Sequence, residues 1–228
     1  MTLTGLLGGS FNPAHGGHRR ITRFTIDSLG LEEAWWLVSP GNPLKPSDDM
    51  ASLFARLRSA EALSRRARIV PTAIELELDT RYTVDTLIKL RRRYPKRQFV
   101  WLMGADNLAQ FHLWRGWRRI ARTMPIAVIA RPGYNADAMT SPAMAWLRRY
   151  RVSAASFRKR GQWSAPALVL LRFDPDHRSA SAIRRANAQW ASELLGQDRI
   201  GSSSQRKSPA AAPRDRLTHR RIESWEDA

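Results

Sequence analysis

Gly8 to His18 reads GGSFNPAHGGH and follows at once on the apolar stretch Leu3 to Leu7. A short apolar run, paired glycines, an Asn-Pro turn and two histidines at the start of a helical pattern describe a strand that feeds a helix through an anion-binding loop. Gly8 and Gly9 carry no Cβ, so the chain can turn off the strand and bring its N–H groups close to a bulky anion. Ile21, Phe24, Ile26 and Leu29 predict a helix over Gly16–Leu29, with His18 in its first turn. There the free N–H groups and the helix dipole favour negative charge, and imidazolium donors from His15 and His18 would add to it. Two other readings compete: a purely structural turn, and a His-x-x-His metal pair, for which the sequence offers no nearby third ligand. Neither GxGxxG nor GxxxxGK[ST] occurs, so the dinucleotide fingerprint and the P-loop are excluded.

Outward from this stretch, apolar runs alternate with helical patterns. Strands are predicted at Leu3–Leu7, Ala34–Val38, Arg68–Pro71, Gln98–Met103, Ile126–Ala130 and Leu168–Leu171. Helices are predicted at Gly16–Leu29, Ser52–Arg65, Val84–Tyr94, Leu113–Arg122, Pro142–Tyr150 and Ala182–Leu195. The fold class is therefore α/β, a Rossmann-like open, mostly parallel sheet with helices on both faces, whose ligands collect at the carboxyl ends of the strands. One domain is expected over residues 1–196. Beyond Gly196 the Ser, Ala and Pro content dilutes the apolar residues, and 197–228 reads as a basic tail, largely disordered or weakly helical.

The 228 residues carry a net charge of +18 and no cysteine, which excludes disulfides, thiolate catalysis and iron–sulfur clusters. No apolar run approaches the ~18 residues that span a bilayer, and the N-terminus lacks the pattern of a secretory signal, so a cytoplasmic enzyme without a membrane partner is expected. The positive charge is nearly all arginine and is spread along the chain. Nucleic-acid binding by the basic surface or tail is the rival of another class, although no RNA-recognition signature, zinc finger or basic zipper accompanies it.

Every other motif lies just past a predicted strand or at a helix start. Ser39 to Pro46, SPGNPLKP, holds an open loop in which Lys45 either reaches an anion or is simply solvated. In TRYTVDTL, Thr80 to Leu87, Thr83 is a good N-cap and Asp85 lies in the first turn, a pattern that also suits a well-capped surface helix. In WLMGADNLAQFHLWRGW, Trp101 to Trp117, Gly104 would permit close nucleotide approach and Asp106 could cap the next helix. Phe111, Trp114 and Trp117 form either a buried stripe or a stacking platform. RSASAIR, Arg178 to Arg184, is either a serine-capped helix with a solvated arginine or a second anion site.

These motifs, in this order, resemble the HxGH nucleotidylyltransferase superfamily. GGSFNPAHGGH is similar to its G-G-[ST]-F-[ND]-P-x-H-x-G-H signature. RYTVDTL with Glu75 upstream, and GADNL followed by Phe111, Trp114 and Trp117, are characteristic of its nicotinate mononucleotide adenylyltransferases. RSASAIR resembles ISSTxIR, with Ala180 in place of the second serine and Ser181 in place of threonine, so one hydroxyl contact is missing. The resemblance implies adenylyl transfer from ATP to nicotinate mononucleotide, giving deamido-NAD and pyrophosphate in NAD synthesis. Nicotinamide mononucleotide or another phosphate acceptor is the closest enzymatic alternative. By the resemblance ATP lies against Gly8, Gly9, Ser10, Phe11, His18, Gly104, Asp106, Arg131, Ser179, Ser181 and Arg184. The mononucleotide lies against Asn42, Lys45, Arg56, Thr83, Asp85 and Trp117, the last stacking on the nicotinate ring. His15, His18, Lys45 and Arg184 supply the catalytic donors and cations. Mg²⁺ is expected to bridge the phosphates, held mostly by ATP and water, with no metal site built of protein side chains.

Overall fold

The computed structural model describes residues 1–41, 50–130, 135–160, 163–173, 180–200 and 215–219. The first half runs β1 (Thr2–Gly9), α1 (Gly16–Leu29), β2 (Glu33–Val38), α2 (Leu53–Ser64), β3 (Ile69–Thr72), α3 (Ile74–Glu77), α4 (Thr83–Arg93) and β4 (Arg97–Gly104). The second half runs α5 (Ala105–Gln110), α6 (Trp117–Thr123), β5 (Ile126–Ala130), α7 (Asn135–Thr140), α8 (Pro142–Leu147), β6 (Arg151–Val152), α9 (Ala154–Arg160), β7 (Leu168–Arg172), α10 (Ala180–Ala186) and α11 (Trp190–Ile200).

All the described strands join one sheet in the order β3-β2-β1-β4-β5-β7-β6, and every pairing is parallel. This is the expected Rossmann-like α/β architecture. Both faces are covered, so successive side chains enter different cores. Trp35, Phe99, Trp101, Met103, Ile126 and Val128 point into one, while Trp36, Val100, Leu102, Ala127 and Ile129 point into the other. The first core is closed by Leu87 and Leu90 of α4, Leu108 of α5, Ile120 of α6 and Leu147 of α8. Ile21, Ile26 and Leu29 of α1, Leu57 of α2 and Phe157 of α9 close the second.

The chain order reverses between β1 and β4, so the loops after Gly9 and Gly104 flank a crevice at the carboxyl edge of the sheet. α1 stops where expected, because Gly30 adopts a left-handed φ of 67° and its N–H returns to the Ile26 carbonyl.

Several short elements depart from the sequence reading. The predicted helix over 113–122 begins only at Trp117, after a separate helix α5 and a 3-10 turn at Phe111–Leu113. The predicted helix over 182–195 is two helices, and the second extends to Ile200, past the expected domain boundary at 196. Within the segment expected to be a disordered tail, residues 215–219 are placed, and Asp215 is only 2% exposed. Its carboxylate finds hydrogen-bond donors on the edge of the sheet. Among the described residues no helix is long and apolar enough to cross a membrane.

Candidate active site

β1 delivers the anion loop to the crevice, but its glycines serve packing as well. A Cβ on Gly8 would stand 2.6 Å from Cη2 of Trp101, and one on Gly9 would meet the Phe11 ring at 3.3 Å. Phe11 itself adopts a left-handed φ of 48°. Its ring stacks on Trp36 at 5.1 Å and tilts against His18 at 4.9 Å, which fixes the plane of that imidazole.

His15 is the N-cap of α1, and the two histidines form a reciprocal capping box with ring centroids 3.9 Å apart. Nδ1 of His15 accepts from the Gly17 N–H and Nδ1 of His18 from the His15 N–H, each at 3.2 Å. With Nδ1 an acceptor, Nε2 is the N–H donor of each ring. This corrects the imidazolium pair expected from sequence: the geometry gives a donor on each histidine without a second ring proton. Among the described residues no three His, Asp or Glu side chains are grouped to hold a metal.

Arg56 was expected at the mononucleotide, and here the structure differs. It is 1% exposed, and four of its N–H groups donate to backbone carbonyls: Nε to Ala51 at 2.9 Å, Nη1 to Ser10 at 2.8 Å and Ser39 at 2.6 Å, and Nη2 to Pro40 at 3.2 Å. Burial lowers its pKa to about 10, which still leaves it charged near neutrality. Arg56 therefore clamps the loop after β1 to the loop after β2. Asn12 adds a second tie, its Oδ1 accepting from the Ala51 N–H at 3.2 Å.

Arg184 of α10 donates through Nη1 to the Asn12 carbonyl at 2.7 Å, across 172 residues of sequence. With Ser181, Met50, Ala51, Arg185 and Trp190 it lines a cleft of about 630 Å³. Another cleft of about 520 Å³ lies at the opposite end of the sheet, around Leu3, Arg97, Phe99, Arg122 and Met124, and no motif residue lines it.

On the far side of the anion loop, α4 starts at Thr83, but its N-cap is Tyr82, which makes no side-chain capping bond. The capping role expected of Thr83 is thus not realised, and Asp85 lies in the first turn as expected. The hydroxyl that organises this end is Thr86, fully buried, which donates to Oε1 of Glu75 at 3.1 Å and lies 2.8 Å from Oγ1 of Thr80. Burial raises the Glu75 carboxyl to about 7, opposed by hydrogen bonds from Thr86 and Ser39. Glu75 thereby ties α3 to α4, beside Ser39 of the loop after β2.

Gly104 is the N-cap of α5, and a Cβ there would lie 2.2 Å from Oδ1 of Asp106. The missing side chain makes room for that carboxylate, which sits exposed in the first turn and makes no side-chain capping bond. Trp117 is 8% exposed, packed edge-on against Phe111 and Trp146, with the Arg118 guanidinium 4.3 Å over its ring. In this structure it belongs to the buried stripe. Asn42, Lys45, Arg131 and Ser179 lie outside the described residues. The sequence reading missed the Thr86–Glu75 bond and the clamp role of Arg56. The family resemblance marked Glu75, RYTVDTL and Arg56, but nothing in the residue pattern itself signalled that Thr86 would bond Glu75 or that Arg56 would turn inward as a clamp.

A family profile described as cytidylyltransferase-like matches residues 6–186. The chain is 71% identical over 189 residues to a protein of Erythrobacter litoralis named "Probable nicotinate-nucleotide adenylyltransferase", covering 83% of this chain and 86% of that one. It is 51% identical over 180 residues to a protein of the same name from Parvibaculum lavamentivorans, covering 79% and 90%. Among solved structures it is similar in fold to a Plasmodium falciparum nicotinic acid mononucleotide adenylyltransferase complexed with NaAD. That likeness has a TM-score of 0.60 at 16% identity and covers 81% of this chain and 83% of that one.

Proposed function

The chain belongs to the nicotinate-nucleotide adenylyltransferases of the cytidylyltransferase-like family, and from that premise we infer its reaction and how its residues divide the work. It transfers the adenylyl group of ATP to nicotinate mononucleotide, giving deamido-NAD and pyrophosphate. A phosphate oxygen of the mononucleotide forms a bond to the ATP α-phosphorus. The bond from that phosphorus to the oxygen bridging to the β-phosphate breaks, and its electron pair leaves with pyrophosphate. The attacking oxygen is already anionic near neutral pH, because the second phosphate pKa is about 6, so no general base is required. Catalysis is positioning plus stabilisation of charge.

In our reading the Nε2–H groups of His15 and His18 face the triphosphate, with the N–H groups of the loop at Gly9 to Phe11. Arg184 and Ser181 close on the same phosphates from α10. Asp106 and Gly104 border the nucleoside. Lys45 and Asn42, on the loop leaving Ser39, reach the mononucleotide, with Thr83 and Asp85 opposite and Arg131 and Ser179 on the ATP side. Trp117 meets the pyridine ring only where Arg118 leaves a face open. Mg²⁺ carried in on ATP would be held mainly by phosphate and water oxygens and would supply charge neutralisation on the departing pyrophosphate.

The observation that carries this division is the 2.7 Å bond from Arg184 to the Asn12 carbonyl, which sets the start of α10 beside the loop after β1 at the switch point of the sheet. The test is pyrophosphate release with ATP and Mg²⁺, run in parallel with nicotinate and nicotinamide mononucleotide. Release with the acid form, and less with the amide, is expected; silence with both overturns the reading.

A further inference from the structure

The strongest feature outside the anion loop is a carboxylate brought from far along the chain. Asp215 is 2% exposed, and its side chain meets donors on two sides. Oδ2 accepts from the Ala73 N–H at 2.6 Å and from Oγ1 of Thr72 at 2.8 Å. Oδ1 accepts from the N–H groups of Leu217 at 2.8 Å and Thr218 at 3.1 Å, and lies 3.0 Å from the same Thr72 hydroxyl. The Asp215 carbonyl accepts from the His219 N–H at 2.8 Å, so residues 215–219 form a tight turn around their own carboxylate. Leu217 packs against the core beneath.

The partners of this carboxylate are not arbitrary. Thr72 ends β3 and Ala73 is the N-cap of α3, the turn whose second residue is Glu75. Thr72 Oγ1, while donating to Asp215, accepts from the Ile74 N–H at 3.1 Å. Asp215 therefore fixes both the exit of β3 and the start of α3. Glu75 in turn accepts from Thr86 of α4 at 3.1 Å, and Ser39, whose hydroxyl donates to the Gly41 carbonyl, lies beside it on the loop after β2. These are the two segments placed against the mononucleotide above.

We propose that Asp215 is a positioning residue for the mononucleotide side of the active site: the 215–219 turn clasps Thr72 and Ala73 and so holds Glu75 against Thr86 of α4, beside the loop after β2. The inference rests on the reading of those segments as the mononucleotide site. An all-donor environment requires an acceptor on both sides, which carboxylate supplies and an amide does not. A role confined to stability would weaken both substrates alike, whereas a positioning role weakens one.

The test uses the full chain carrying Asp215→Ala, Asp215→Asn, Thr72→Val and Thr72→Ser. Two readouts are taken, the KM for each substrate and hydrogen exchange over residues 72–78. The alanine, asparagine and valine variants are expected to raise the KM for nicotinate mononucleotide about five- to tenfold, the effect of one hydrogen bond of ordinary net strength. KM for ATP and kcat should stay within about twofold, exchange over 72–78 should accelerate, and Thr72→Ser, which keeps the hydroxyl, should restore both. Unchanged exchange in Asp215→Ala overturns the clasp. Faster exchange with an unchanged KM, or with both KM values raised alike, overturns its positioning role. If the unmodified protein does not use nicotinate mononucleotide, the functional reading fails while exchange still decides whether the clasp exists. Should Asp215→Ala fold too poorly to assay, the Thr72→Val and Thr72→Ser pair decides by the same criteria.

Discussion

Replacing Arg56 by methionine separates a clamp from a substrate ligand. Methionine keeps much of the apolar stem and removes the guanidinium, leaving the carbonyls of Ser10, Ser39, Pro40 and Ala51 without their shared donor. A hydrogen bond to a charged group contributes about 1.5–3 kcal/mol, but the four do not sum, because burying the guanidinium was itself costly. Removing one side of a buried charged network typically costs about 3–5 kcal/mol. For a domain of this size each kcal/mol lowers Tm by roughly 2–4 °C, so a fall of roughly 6–20 °C is expected. Arg56→Lys should fall almost as far, since one ammonium cannot address carbonyls arrayed around a planar fork. The assay is thermal and urea denaturation followed by circular dichroism, with KM measured for both substrates well below the melting range. Both KM values should rise, because the clamp serves the loops after β1 and β2 together. A methionine variant that melts within about 2 °C of the unmodified protein and loses only mononucleotide affinity would refute the clamp and return Arg56 to the substrate.

Glu75 should make stability fall as pH rises. Its carboxyl titrates near 7 in the folded protein against an ordinary 4.5, so between those values the folded state holds a proton that the unfolded chain has released. The penalty is absent below about pH 4.5 and complete above about pH 7, at roughly 3 kcal/mol by linkage. Urea titrations at pH 5 and pH 8 should show Glu75→Gln gaining on the unmodified protein at the higher pH, and a constant difference would contradict the raised value. For His18→Ala, turnover should drop by several orders of magnitude while Tm changes by only a few degrees, the lost cap costing ~1 kcal/mol; near-normal turnover in a pyrophosphate assay would remove His18 from the chemistry. Trp117→Ala should destabilise by about 3–5 kcal/mol as a core deletion and raise the mononucleotide KM more than that for ATP; an unchanged KM would confine the ring to the core.

What the sequence disclosed follows from how strongly each residue is constrained locally. Strands buried on both faces leave unbroken apolar runs, such as Ala34 to Val38 and Ile126 to Ala130, and these were legible with nearly correct ends. Two-residue β6 and the single turn α3 are too short to carry a period. The loop at Gly8 to His18 was legible because glycines, an Asn-Pro pair and spaced histidines each restrict the backbone by themselves. Arg56 was not, because α2 also carries Arg58 and ends beside Arg65, and only tertiary packing decides which guanidinium turns inward. Asp215 stands among alanines, prolines and arginines that favour an unfolded chain, and its partners at Thr72 and Ala73 lie more than half the chain away. For the histidines the sequence marks the start of α1 but not the direction of each Nδ1, which depends on which backbone N–H the helix start presents to it.

The strand that presents the anion loop leaves the ribosome ahead of its sheet neighbours and is completed late. β1 gains its neighbour β2 within the first 38 residues, yet its other flank stays open until Arg97 to Gly104 has been made. The guanidinium that pins Ser10 arrives at residue 56, and the one that reaches Asn12 only at residue 184. A growing chain thus owns the centre of its sheet long before it owns a grip on phosphate. ATP can shield finished molecules from unfolding by mass action, but it offers nothing to one still under translation. The exposed middle strand must wait for its partner unaided, and the vulnerable interval in the life of this protein is set by the distance between β1 and β4.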